Sequence, residues 1–468
     1  MNQYTYRAVR FHRWVERKAE KRISYRDILA DRTDSQRVDK GRKPMQHLKK
    51  TSQTSGVFYG WYIVASSFFI LFFNAGARFS FGVMFKPMIA DFGWSRSAIS
   101  LVFFLNMTFY AGSLIVAGRL YDRYGPKWVI IISTAILSTG FMLTAVINSL
   151  LQFFIFYGVV AAMGLGGPSV SLMAAITSKW FEKWRGLAIS IALTGNSLGQ
   201  FILVPLVTIV TLRHGWRSAY LSIGLIMLVV NIIIALLVMR GDPDALGQGP
   251  LGYRRKKRKG GGEQHRLSSK GLRDLGLRDA MHTRSFWLFI IVMFVCGSGD
   301  FLVATHLIPF VTDYGISPVT AGSMLGWFGL MSLAGLLVAG PVSDMIGNKM
   351  PIALTFLLRF FLYLLILKYQ TLGSFYCFAF GFGFTLLITA PLAVTLMGKL
   401  YGLAHVGLIT GVITTVHHLG GGFWAYMGGV IFDRTGSYQV AFVLSAIVAL
   451  AAFFSSILII EKRHRVVS

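Results

Sequence analysis

Two ionisable residues stand inside long apolar runs of this sequence, Arg78 and Asp300. A charge held among hydrocarbon costs several kcal/mol, so it is expected to bind, pair or couple rather than to sit idle. The two are separated by about 222 residues, and at that spacing Arg78-Phe79 matches Asp300-Phe301. A guanidinium offers a planar fork that fits a carboxylate. If the two residues face one another, the expectation is an Arg78–Asp300 ion pair that a substrate carboxylate can open. Asp300, left without a partner in a low dielectric, could then take a proton and serve as the proton-coupling group. Three histidines extend the set: His306, six residues beyond Asp300, and the consecutive pair His417 and His418. Histidine changes charge near neutral pH and as imidazolium can hold an anion. Successive helical residues point about 100° apart, so one of His417 and His418 should face a cavity, with nothing to choose between them. Asn74, Asn106, Tyr110, Tyr157, Asn196, Gln200 and Tyr426 add hydrogen-bonding groups in other apolar runs. Each can equally serve as glue between helices. Arg359, in the middle of a further run, reads as a side chain that snorkels or pairs rather than binds.

The elements that carry these residues follow from composition. Of 468 residues, 54% are hydrophobic, 14% are charged and 50 are glycine. Soluble domains carry about 25% charged residues, so a soluble enzyme, a disordered chain and a disulfide scaffold are excluded. About 20 apolar residues span a bilayer as a helix. Runs of that kind begin near Val57, Ala98, Trp128, Leu150, Leu187, Ser218, Ser285, Val319, Met350, Leu372, Gly407 and Tyr438. The fold class is therefore all-α membrane, with twelve transmembrane helices. Gly, Ala, Ser and Thr within the runs permit close helix contact, and the Gly164–Pro168 and Gly420–Gly422 stretches read as contacts or bends. About 38 of the 46 Lys and Arg fall in the amino-terminal segment, the even-numbered loops and the carboxy-terminal tail, which places both termini in the cytoplasm. The net charge of +27 is thus mainly a topology signal rather than a nucleic-acid surface. The expected divisions are a basic tail 1–56, a six-helix bundle 57–239, a linker loop 240–284, a second six-helix bundle 285–460 and a tail 461–468. Met45 is a plausible alternative start within the first of these. Neither cysteine suggests a disulfide framework. No P-loop, metal-ligand spacing or nucleophile triad is evident, so neither an enzyme nor a bound cofactor or metal is expected.

The chain also repeats itself. Pro87, Asp91, Gly93 and Ser95 recur as Pro309, Asp313, Gly315 and Ser317, and Gly118, Asp122, Gly125 and Lys127 recur as Gly340, Asp344, Gly347 and Lys349. Two parallel six-span halves imply a two-fold axis along the membrane normal and a site lined by both. The Gly118-Arg-Leu-Tyr-Asp-Arg-Tyr-Gly-Pro-Lys127 segment resembles the loop 2–3 signature of the major facilitator superfamily, with a weaker copy at Gly340–Lys349. The resemblance covers roughly Val57 to the end of the last run. It implies the fold of that superfamily, a central cavity faced by helices one and seven, and peripheral helices three, six, nine and twelve. It also implies a gating role for Gly118, Arg119, Asp122, Arg123, Gly125, Lys127, Asp344 and Gly347, in which the loop latches the outward-open state.

A narrower resemblance lies in Gly60-Trp61, Phe81-Gly-Val83, Asp91-Phe-Gly-Trp-Ser95, Gly215-Trp-Arg217, His306-Leu-Ile-Pro309 and Asp313-Tyr-Gly-Ile-Ser317. These look like bacterial members of the monocarboxylate porter and oxalate:formate antiporter group. That group carries small organic anions with a proton or by exchange. The antiporters have a lysine in span eleven and an arginine in span eight, which this sequence lacks, so the departure points away from a dicarboxylate such as oxalate and towards a monoanion or a proton-linked cargo. The resemblance thus implies a secondary active transporter of monocarboxylate-like anions, monomeric, in contact with lipid in a bacterial inner membrane, using a proton or a counter-anion. A porter of an aromatic acid, a sugar acid or a drug, or a non-transporting sensor, is the alternative. Arg78, Asn74, Tyr110, Asn196, Tyr157, His306, His417 and His418 are the expected substrate contacts.

Overall fold

The computed structural model describes residues 58–246, 249–252, 275–402 and 405–461. The expected tail 1–56 and the basic part of the linker loop lie outside the described residues. Among the described residues, twelve long helical rods follow one another: α1 (Gly60–Phe92), α2 (96–124), α3 (126–144), α4 (Leu150–Gly164 and, after a turn, Val170–Trp180), α5 (185–214), α6 (216–237), α7 (Arg284–Asp313), α8 (Pro318–Ile346), α9 (Lys349–Lys368), α10 (Leu372–Tyr401), α11 (Val406–Thr435) and α12 (Gln439–Leu458). No strand occurs among the described residues.

Local sequence sets the ends of these rods. Ser95, Ser149, Thr283, Ser317 and Thr371 each accept a hydrogen bond from a backbone N–H in the first turn of the following helix, which satisfies one of the orphan donors there. Helix α2 passes into α3 and α5 into α6 through single glycines. Gly125 (φ 76, ψ 173) and Gly215 (φ 83, ψ 162) take a backbone conformation that L side chains rarely adopt, and the chain reverses there with almost no loop. Within α4, residues Phe154–Ala161 widen into a π-helical segment.

Packing carries the two-fold relation predicted from the repeat. Helix α1 lies on α5 as α7 lies on α11, α2 on α4 as α8 on α10, and α3 on α6 as α9 on α12. Between the halves, α2 meets α11 and α8 meets α5, contacts that exchange under the same operation. Glycine makes the closest of these approaches. A Cβ on Gly199 would stand 2.0 Å from the Phe72 carbonyl oxygen, and one on Gly297 would stand 1.8 Å from the His417 carbonyl oxygen. These are the small-residue seams that let membrane helices touch backbone to backbone.

Candidate functional site

Arg78 projects from α1 towards the contact between the halves. Its guanidinium lies over the Tyr110 ring of α2 at 4.7 Å and the Phe301 ring of α7 at 5.0 Å. One amino group reaches Met107 Sδ at 3.6 Å, while its Nε is buried with no hydrogen-bond partner. Among the described residues no carboxylate pairs with it. Cation–π contact holds the charge without neutralising it. The fork is consequently available to an incoming acceptor.

Asp300 turns away from Arg78, into the second half. Its Oδ1 lies 2.6 Å from Arg359 Nη2, and both residues are fully buried. This overturns one expectation, because the Arg78–Asp300 pair is not formed. Of the two courses expected of Arg359, it pairs rather than snorkels. Although α9 is peripheral, the long arginine stem crosses the bundle interior. Its Nε donates to Thr385 Oγ1 at 2.9 Å, Nη2 to the Thr385 carbonyl at 3.3 Å and Nη1 to the Cys296 carbonyl at 3.2 Å. Phe382 lies beneath the guanidinium at 4.5 Å. Cys296 donates towards Asp300 Oδ2 at 3.6 Å and also meets Thr389 Oγ1 at 3.3 Å. His417 Nε2 stands 3.7 Å from Asp300 Oδ2. Cys296, Asp300 and His417 bring one ligand atom each within 4.8 Å of one another, a spacing that could suit a metal ion. Arg359 already supplies the positive charge at that carboxylate.

The other expected residues divide between the surroundings of Arg78 and the seams between helices. His418 faces Tyr110 edge to ring at 4.9 Å, with Phe301 at 5.8 Å, and hydrogen-bonds the Thr414 carbonyl through Nδ1 at 2.8 Å. Tyr110 and Phe301 thus meet both Arg78 and His418. Asn196 is half-buried on α5, one residue before Ser197, whose hydroxyl meets Ser332 across the halves at 2.9 Å. Three groups tie helices together: Asn74 Nδ2 donates to the Pro168 carbonyl at 2.6 Å, Asn106 Nδ2 to the Tyr157 carbonyl at 2.6 Å, and Gln200 Nε2 to the Leu325 carbonyl at 3.0 Å. Tyr157 is buried against Phe81 and Phe141, and Tyr426 stacks on Phe104. His306 lies fully buried nearer the end where α7 turns into α8 and bonds to Tyr438, Ala425 and Ser100.

That end, where the odd-numbered loops lie, is closed. Asp313 at the end of α7 receives Lys86 of α1 at 2.6 Å and both amino groups of Arg96 of α2 at 2.9 and 3.1 Å. Asp433 of α11 caps α2 by accepting from the Arg96 and Ser97 backbone N–H groups at 3.1 and 2.8 Å. At the even-loop end, among the described residues, no ion pair or side-chain hydrogen bond joins the halves. Arg119, Asp122 and Arg123, in the last turns of α2, are exposed there, while Gly125 and Gly347 supply the positive-φ turns. Sequence reasoning missed the inward course of Arg359 and the Thr385–Cys296 cradle. A lone arginine in a peripheral span carries no signal of direction. The repeat of Asp91 as Asp313 was visible, but not that Asp313 bridges the halves while Asp91 binds Trp216 and Arg217 within one.

Comparison with known proteins adds the family. The sequence model of the Major Facilitator Superfamily matches residues 67–425, with a second match over 289–467. An uncharacterized MFS-type transporter YcxA of Bacillus subtilis is 25% identical over 87% of this chain and 98% of its own. Human monocarboxylate transporter 11 is 26% identical over 85% of this chain and 82% of its own. The oxalate:formate antiporter of Oxalobacter formigenes is 22% identical over 89% and 95%. Among solved structures, a bacterial homologue of the human lysosomal transporter Spinster superposes with a TM-score of 0.65 at 15% identity, covering 87% of this chain and 98% of that one.

Proposed function

The chain belongs to the major facilitator superfamily, and from that premise we propose that it is a secondary active transporter of small monocarboxylate-like anions, working by alternating access. The observation that supports the reading is Arg78, a guanidinium with no paired carboxylate among the described residues, held over Tyr110 and Phe301 between the two halves, with His418 against the same two rings. Asp300 and Arg359 neutralise each other, so one net positive charge remains for the substrate. A lone cation suits a monoanion, because a second carboxylate would find no counter-charge there. The names of the relatives, monocarboxylate transporter 11 and oxalate:formate antiporter, support this cargo class. A seal at the odd-loop end, with nothing equivalent among the described residues at the other, supports alternating access.

Two drives fit the site. Exchange requires only that Arg78 hold one anion at a time. Proton coupling would use Asp300, with His417 Nε2 at 3.7 Å as the relay. The protein would lie in a bacterial inner membrane with both termini cytoplasmic, which makes the sealed end the outer one. Reconstitution tests the reading: radiolabelled monocarboxylates are offered to proteoliposomes with and without a pH gradient, or with unlabelled anion inside. Accumulation or counterflow of a monocarboxylate is the expected result. Entry of other solutes, with no carboxylate entering or exchanging, would refute it.

A further inference from the structure

The seal contains a buried titratable group that the anion site does not use. His306 lies on α7 with no exposed surface, and its hydrogen bonds leave each proton one place. The Ala425 carbonyl, 2.8 Å from Nε2, can only accept, so Nε2 carries a hydrogen. Nδ1 of the neutral ring is then an acceptor, and the Tyr438 hydroxyl at 2.9 Å donates to it. The Tyr438 oxygen in turn accepts from Arg96 Nη1 at 2.8 Å, and the same guanidinium grips Asp313. The row runs from α2 through Tyr438, the residue before α12, and α7 to α11, across the boundary between the halves. Ser100 Oγ lies 3.4 Å from Nε2 and the Phe85 ring of α1 covers the imidazole at 5.2 Å.

A second proton, on Nδ1, breaks this row. The Tyr438 oxygen would then face two donors, and its own hydrogen would lose its acceptor. The imidazolium would be enclosed with Arg96 close by. The carboxylates of the seal are already engaged, Asp313 by Lys86 and Arg96 and Asp433 by the α2 backbone. A buried charge without a partner is costly. We infer that His306 is a proton-binding latch: the odd-loop end closes only around the neutral ring, and a proton taken up there releases it. The role is separate from the anion site and gives His306 a gating rather than a substrate-binding task. It rests on the alternating-access reading.

The test is the distance between the halves at the sealed end. Spin labels go on Asn148→Cys and Gly373→Cys in the full-length protein in lipid nanodiscs. Exposed Cys377 is replaced by serine, and Cys296 is buried. Gly373 has open space around it. Distances are read by pulsed electron resonance at pH 8 and pH 5, a window in which ordinary carboxylates stay charged. The share of long distances should rise about tenfold or more at pH 5 in the wild type and stay flat in His306→Gln. Tyr438→Phe, which keeps the histidine but removes the row, should raise that share already at pH 8. Equal distributions at both pH values in the wild type, or an unchanged acid response in His306→Gln, overturn the latch. Should His306→Gln fail to fold, a wild-type distribution for Tyr438→Phe at pH 8 overturns it instead. A protein that exchanges anions yet shows no acid opening loses the latch alone, whereas loss of exchange and opening together overturns the transport reading as well.

Discussion

Removing one partner of the Asp300–Arg359 pair should cost far more than removing both. The pair is 2.6 Å apart and buried within the second half. In Asp300→Asn the guanidinium keeps Thr385 Oγ1, the Thr385 carbonyl and the Cys296 carbonyl, so its hydrogen bonds survive while its counter-charge does not. In Arg359→Gln the carboxylate keeps only Cys296 Sγ–H at 3.6 Å and His417 at 3.7 Å. An isolated buried charge of either sign costs about 3–5 kcal/mol, where an exposed pair would cost about 0–1. The double variant Asp300→Asn/Arg359→Gln leaves two neutral amides among the same acceptors and should recover most of that loss. The coupling between the two sites is therefore expected to be at least about 2 kcal/mol in a double-mutant cycle. Reversible unfolding in mixed micelles, monitored by tryptophan fluorescence, gives the three differences. Arg359→Gln should also lose less at pH 5 than at pH 8, because a protonated His417 can take over as counter-ion. Strictly additive single variants would refute the ion pair as the organising contact of this bundle.

Other outcomes follow from the same geometry. Asp313→Asn removes the contacts to Lys86 and Arg96. These are partly exposed, so about 1–2 kcal/mol is expected, a shift of roughly five- to thirtyfold towards opening at the odd-loop end, readable from cysteine accessibility in α1 and α7. Gly199→Val forces side-chain atoms into the Phe72 backbone and should abolish stable expression, whereas Gly373→Val, which meets open space, should express normally; equal yields would contradict the close α1–α5 seam. Asp300→Asn should retain counterflow but lose accumulation driven by a pH gradient, and gradient-driven uptake in that variant would remove Asp300 from the coupling step.

Much of the architecture is legible in the sequence because it rests on periodic, additive signals. The apolar runs, the positions of Lys and Arg, and the Gly118–Lys127 segment with its copy gave the rods, the two halves and the family expectation. Gly125 and Gly215 were harder to read as near-loopless reversals, since a glycine in an apolar run equally marks a packing seam. The site was half visible. A charge within a span announces itself, so Arg78, Asp300 and the histidines stood out, but its direction depends on which neighbour offers better acceptors. Asp300 found Arg359, Thr385 having fixed the guanidinium beside it, and no pattern along the chain ties residues 300, 359 and 385 together. Arg78 was left to Tyr110 and Phe301 by that choice. His306 was read as a substrate contact because histidine chemistry suits an anion, and in the structure it is fully buried against Ala425 and Tyr438.

The most direct test of the central claim is counterflow of a radiolabelled monocarboxylate into proteoliposomes loaded with the unlabelled acid, comparing the wild type with Arg78→Gln at matched, monodisperse reconstitution. Arg78 as the anion-holding group predicts background-level exchange for the variant with unchanged thermal stability. Exchange at the wild-type rate by Arg78→Gln would contradict it.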